Sequence, residues 1–163
     1  MAILTATALA EDIAVGMGTA LLAASPNRLT AILGSCIGVS VYCPKLQLGM
    51  LSHVVLPASK GCATHPAKYA DTAVAHMCSV LESRGVPSRG MVAKIAGGAC
   101  MFGNSVSMQI GEANVHAAVT ALDAIGIPLA ARDVGGTIGR RIVFDLSNGS
   151  LTVESVGGRP RTL

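Results

Sequence analysis

Two alternating runs on either side of a proline turn constrain this chain more than any other stretch. Ile37 to Tyr42 sets Ile, Val and Val against Gly, Ser and Tyr, and Leu48 to Leu56 forms a second run that ends at Pro57. Period two is the signature of strand. Pro44 to Gln47 separates the runs, so together they read as a β-hairpin. A turn symmetric about those four residues pairs Gly38 with His53 and Cys36 with Val55. Cys36 and His53 then become diagonal neighbours on one sheet face, roughly 7–8 Å apart at the backbone and within side-chain reach. Ile37, Val39, Val41, Met50, Val54 and Leu56 share the opposite face, which is a core face. Gly38, Ser40 and Gly49 surround the pair and are small enough to leave room for a substrate chain. A slip of one residue separates the pair.

A thiol beside an imidazole is the minimum equipment for nucleophilic acyl chemistry. Cys36 follows Gly34 and Ser35 at a corner, where main-chain N–H groups can face a substrate oxygen. Against this, a single thiol is commonly buried and inert, and a single histidine is commonly a satisfied core residue. The residues alone leave both readings open. Thr30, on the preceding strand from Arg28 to Leu33, is a candidate hydrogen-bond partner for the imidazole, although strand propensity by itself accounts for a threonine there.

Other clusters carry weaker signals. Cys62-Ala-Thr-His65 has metal-ligand residue types at plausible spacing, but structural zinc usually shows two such pairs and only one is present. Gly135-Gly136-Thr137-Ile138-Gly139-Arg140-Arg141 resembles a phosphate loop in composition only, because it precedes a strand and not a helix. It reads as a tight turn. Gly97-Gly98-Ala99-Cys100-Met101-Phe102 reads as a strand-ending turn that lines a cleft.

The rest of the chain supplies a scaffold. Ile13 to Ala24 suits one or two strands that bend at Gly16 and Gly18, and Ser25-Pro26-Asn27 is a turn. Pro66 opens a helix on which Ala70, Ala73, Val74, Met77, Val80 and Leu81 share a face, with Gly85 placed as its cap. Met91 to Ala96 is a strand. A second helix runs from about Glu112 to Ile125, with Val115, Ala118, Val119, Leu122 and Ile125 on one side. Strands follow at Leu129 to Val134, Arg140 to Leu146 and Ser150 to Val156, the last two joined by an Asn148-Gly149 turn. This is an α/β fold: one layered domain, residues 1–163, with a mixed, mostly antiparallel sheet and two main helices. Residues 1–12 and 157–163 read as tails.

A length of 163 residues fits one domain, and 51% hydrophobic with 2% aromatic residues demands a core of aliphatic side chains. The net charge of +3 is scattered and forms no basic patch, which argues against nucleic acid. No apolar run reaches the roughly 18 residues of a membrane span. The N-terminal MAILTATALA lacks the basic start of a secretory signal. The five cysteines are irregularly spaced and odd in number, which suits reduced thiols in a cytoplasmic protein better than a disulfide framework.

Six blocks, taken in order, then resemble one family. They are LGSCIGVSVY with Cys36, LSHVVLP with His53, KYADTAV at Lys68 to Val74, KIAGGACMF at Lys94 to Phe102, IGEANV at Ile110 to Val115 and DVGGTIGRR at Asp133 to Arg141. In order and spacing they resemble the CheD family of chemoreceptor glutamine deamidases, over nearly everything from Ile13 to Val153. The family's catalytic cysteine matches Cys36, its histidine His53 and its orienting threonine Thr30. The chain departs from the common pattern at Gly49-Met50, where members often carry Gly-Gly, and at Ala113, where they often carry Arg.

The resemblance implies a protein-glutamine glutaminase, an amide hydrolase that converts glutamine side chains of methyl-accepting chemotaxis receptors to glutamate with release of ammonia. It implies a thioester on Cys36, with His53 as base and acid, and neither metal nor cofactor. It also implies a CheC-type phosphatase as partner, competing with receptors for the site and acting on phosphorylated CheY. A monomer without membrane insertion is expected. A different reading makes the chain a binding module for that phosphatase with little catalysis of its own.

Overall fold

The computed structural model of the protein describes residues 9–103 and 105–163. Its strands are β1 (Asp12–Ala14), β2 (Ala20–Ala24), β3 (Arg28–Leu33), β4 (Ile37–Cys43), β5 (Leu48–Val54), β6 (Val92–Gly97), β7 (Leu129–Val134), β8 (Arg140–Asp145), β9 (Leu151–Ser155) and β10 (Arg161–Thr162). The helices are α1 (Ala70–Ser83) and α2 (Ser105–Ile125). The strands form two five-stranded sheets, one ordered β1-β3-β8-β9-β10 and the other β2-β5-β4-β6-β7. The pairing is mostly antiparallel; β1 with β3 and β6 with β7 run parallel. The layered α/β class expected from the sequence is present, although the strands divide into two sheets where the sequence suggested one.

The division explains the burial of β4, every residue of which is buried. Ile37, Val39, Val41, Met50 and Val54 pack under Ala73, Val74, Met77 and Leu81 of α1 and Ala118 and Leu122 of α2. These are the residues of the expected core face except Leu56, which lies past the end of β5 and is half-buried outside the cluster. On the reverse face the first sheet closes down with Leu29, Leu33, Ile142, Phe144 and Leu151. Gly38 and Gly49 are what allow this approach. A Cβ on Gly38 would strike Ile142 Cδ1, and one on Gly49 would sit 2.8 Å from the Val41 carbonyl and 3.0 Å from Leu146 Cδ1. The expected substrate room around these glycines is therefore filled by side chains of the first sheet, with Leu146 at its edge.

The polar residues on this reverse face are satisfied locally, as buried polar groups must be. Tyr42 donates its hydroxyl to the Leu146 carbonyl (3.1 Å) and stacks edge-on with Phe144 at 5.8 Å. Ser40 donates to the Lys94 carbonyl; on the helix side, Ser52 donates to the Ala67 carbonyl in the turn before α1.

Three boundaries differ from expectation. Pro66–Lys68 forms a separate 3-10 turn before α1, because Tyr69 is extended (ψ 135°). Helix α2 begins at Ser105 instead of about Glu112, and Ile125, expected on its apolar side, is 39% exposed. The C-terminal residues read as a tail instead form β10 against Val153 and Thr152, with Leu163 and Leu151 exchanging main-chain hydrogen bonds. At the other end Asp12 pairs with Arg28 in β1; residues 1–8 of the expected N-terminal tail lie outside the described residues.

Candidate active site

The hairpin has the register read from its turn: Gly38 faces His53 and Ile37 faces Val54. Cys36 stands one position before the first paired residue of β4, in a bend over residues 34–36. This bend is where the chain leaves one sheet, at the end of β3, and enters the other. The turn after β6 clamps it. Gly98 N–H donates to the Cys36 carbonyl (2.9 Å) and Ala99 N–H to the Gly34 carbonyl (2.8 Å). Gly97 has a φ of 111°, and a Cβ there would strike the Cys36 carbonyl. Only glycine combines that backbone with that proximity.

His53 is 5% exposed and held at three points. Its N–H donates to the Thr19 carbonyl (2.9 Å), its carbonyl accepts from Gly18 N–H (2.8 Å), and Nδ1 lies 3.1 Å from the Val15 carbonyl oxygen. A carbonyl only accepts, so Nδ1 carries the ring proton and Nε2 presents its lone pair. Burial lowers the His53 pKa, with the bond to Val15 opposing that shift. Burial likewise raises the Cys36 pKa, while its own main-chain N–H pulls it back. Both shifts favour the uncharged form, of the thiol and of the imidazole alike.

Thr30 is 9% exposed in β3. Strand alternation places its side chain on the face opposite Leu29 and Ala31, which line the core between the sheets. Its carbonyl accepts from Val15 N–H (2.8 Å), so Thr30 meets the imidazole's anchor through main chain, at one remove.

Two residues at the site were not singled out from sequence. Val15 acts through its carbonyl, for which side-chain type gives no signal. Asn114, fully buried in α2, sends Nδ2 to the Ser35 carbonyl (3.2 Å) and to the Val55 carbonyl (3.1 Å). Its signal was present in the sequence: an amide on the same helix face as Gly111 and Ala118, where an apolar residue would be expected. Elsewhere, Thr64 Oγ1 lies 3.4 Å from Cys62 Sγ and 3.0 Å from His65 Nδ1. Among the described residues no group of three or more metal-ligating side chains converges.

Two cavities lie on either side of Thr137 and Ile138. An apolar one of about 620 Å³ is lined by Ile32, Met101, Ile138 and Val156, and it reaches the corner through Met101, whose Cγ would lie 3.2 Å from a Cβ on Gly34. A larger one of about 980 Å³, bordered by Arg132, Arg159 and Arg161, lies beyond the Gly135–Gly136 loop. That loop is tied back to the corner's clamp, since Gly135 N–H donates to the Gly97 carbonyl and Cys100 N–H to the Gly136 carbonyl.

A half-buried thiol at a glycine corner, at the same end of the hairpin as a buried imidazole whose Nδ1 is held by a carbonyl, is equipment of the kind used by cysteine-dependent acyl hydrolases. Sequence comparison narrows the class. The family model of CheD, described as chemotactic sensory transduction, matches residues 55–155. The probable chemoreceptor glutamine deamidase CheD of Clostridium acetobutylicum is 40% identical over 153 residues, covering 90% of this chain and 92% of its own. Proteins of the same name match from Syntrophomonas wolfei (40% over 161 residues; 95% and 100%) and Desulfitobacterium hafniense (40% over 149 residues; 88% and 93%). The chain belongs to the CheD family. No helix among the described residues is long and apolar enough to cross a membrane.

Proposed function

We propose that this protein deamidates glutamine side chains of chemoreceptors, converting the amide to a carboxylate and releasing ammonia through a thioester on Cys36. The observation that carries the mechanism is the hairpin register, which brings the Cys36 corner and His53 to the same end of β4 and β5. The substrate class rests on the names of the relatives, which align over nine-tenths of the chain.

In this mechanism Nε2 of His53 takes the Cys36 proton as Sγ bonds to the carboxamide carbon. Main-chain N–H groups at the corner stabilise the oxygen that becomes negative. Collapse breaks the C–N bond, and protonated His53 delivers its proton to the departing ammonia. Water then gives a proton to His53 and attacks the thioester; the C–S bond breaks, leaving glutamate and the regenerated thiol. Thr30 serves as orienter by holding Val15, whose carbonyl fixes the ring. Every step uses side chains and main-chain groups of this protein together with water, with no metal or cofactor.

Ile32 and Val156, which line the cavity that reaches the corner through Met101, are 78% and 89% exposed, and Phe102, next in the chain after Met101, is 80% exposed. An apolar rim of this kind suits a protein substrate better than a free amide. It equally suits a CheC-type phosphatase that competes with the receptor for the site. The test is mass spectrometry of a receptor cytoplasmic fragment incubated with wild type and with Cys36→Ala. Wild type adds the mass that an amide gains on becoming a carboxyl, and the variant leaves the fragment unchanged. Equal gains with both proteins refute the Cys36 mechanism; no gain with wild type, together with retained binding to the phosphatase, makes the chain a binding module.

A further inference from the structure

Asn114 occupies an unusual place for a helix residue. It is fully buried, Nδ2 is used on carbonyls of the two segments that carry Cys36 and His53, and Oδ1 has no partner among the described residues. A buried acceptor left unpaired is destabilising, so fold stability alone gives no reason for an amide here. The helix is brought close enough for this contact by Gly111, one turn earlier, where a Cβ would sit 2.6 Å from the Gly98 carbonyl oxygen.

The geometry of the Ser35–Cys36 peptide supplies the reason. The peptide is trans, so its carbonyl and its N–H point in opposite directions. Asn114 holds the carbonyl inward, towards α2. The Cys36 N–H is thereby turned away from the helix, and among the described residues it donates to no other main-chain group. The neighbouring carbonyls of Gly34 and Cys36 are fixed separately by Ala99 and Gly98. The corner is therefore held at three consecutive carbonyls, while the amide of the nucleophile is given to no other main-chain group among the described residues and faces its own sulfur, where the substrate carbonyl arrives.

We propose that Asn114 is a positioning residue that orients the Ser35–Cys36 peptide so that Cys36 N–H serves as an oxyanion donor. The second bond, to Val55, locks that peptide to the segment of His53, so donor, thiol and base keep one arrangement. The inference rests on the deamidase reading and adds to it the residue that prepares the oxyanion site.

The test separates the oxyanion from the thiol. Alkylation by iodoacetamide joins carbon to Sγ with loss of iodide and develops no oxyanion. A peptide aldehyde, here an N-acetylated peptide carrying glutamate γ-semialdehyde, accepts Sγ at its carbonyl carbon and the thiol proton at its oxygen. The resulting thiohemiacetal places that oxygen in the oxyanion position. Protection of Cys36 from iodoacetamide by the aldehyde, read by mass spectrometry of the intact protein, measures the site without requiring turnover. Asn114→Leu is expected to be alkylated at the wild-type rate while the aldehyde protects at least about tenfold more weakly, with kcat on the receptor fragment falling similarly at unchanged KM.

Parallel loss of alkylation and protection, or full retention of both, overturns the proposal. If the Leu variant lacks a wild-type melting transition, Asn114→Ser retains one donor and is expected to show intermediate protection; wild-type protection in it overturns the proposal as well. Wild type that takes up the aldehyde in an Asn114-dependent manner but leaves receptor fragments unchanged refutes the deamidase reading and leaves the positioning role standing.

Discussion

At Cys36 and His53 burial pushes the two groups in opposite directions, raising the thiol pKa and lowering the imidazole pKa. An ordinary cysteine titrates at 9.0 and an ordinary histidine at 6.5. Alkylation of Cys36 in the absence of substrate is therefore expected to rise through a midpoint above that of an ordinary thiol; a midpoint well below it would mean a preformed thiolate. For His53 the sign follows from its lowered folded-state pKa. The folded protein binds fewer protons than the unfolded chain below about pH 6.5, so the stability owed to the neutral ring is present above that value and is lost as pH falls towards the folded pKa. Urea unfolding across that range should show a shallower acid loss for His53→Gln than for wild type. Equal slopes would place the acid sensitivity elsewhere.

At the level of elements, the hairpin carried most of what the sequence revealed. Its alternation, its four-residue turn and the consequent pairing of Gly38 with His53 are local properties, which is why they were legible. The function of Gly38 was not, because what opposes it, Ile142, lies in a strand far along the chain and in another sheet. Small residues beside a reactive pair look like a substrate pocket when only one sheet is considered. Gly38→Ala tests the corrected reading: crowding against Ile142 should cost about 1–3 kcal/mol in chemical unfolding. A stability equal to wild type would show that the space is open. The early start of α2 was missed for a related reason, since Gly111 weakens a helical pattern locally and is explained only by its contact with Gly98.

Across the whole molecule, two sheets, a helical layer and a corner that passes between the sheets place the reactive end of the hairpin at the meeting of all three. A buried ion pair ties together the strand ends beside the corner, where Arg140 pairs with Leu33 and Asp133 with Ala96. Arg140, 6% exposed, reaches the Asp133 carboxylate at 2.5 Å, and Asp133 also takes Arg161 from β10. Removing the acid by Asp133→Ala strands a buried guanidinium and should cost about 3–5 kcal/mol in urea unfolding; a change under about 1 kcal/mol would mean that water reaches Arg140 freely. This pair, like the C-terminal strand it anchors, joins segments whose proximity no local pattern announces. The central claim, however, concerns one covalent bond. Acid quenching of the wild-type protein during turnover of a receptor fragment, followed by peptide mass spectrometry, is predicted to find the glutamyl thioester on Cys36, labile to hydroxylamine; continued deamidation by Cys36→Ala, or the acyl group on Cys62 instead, would contradict it.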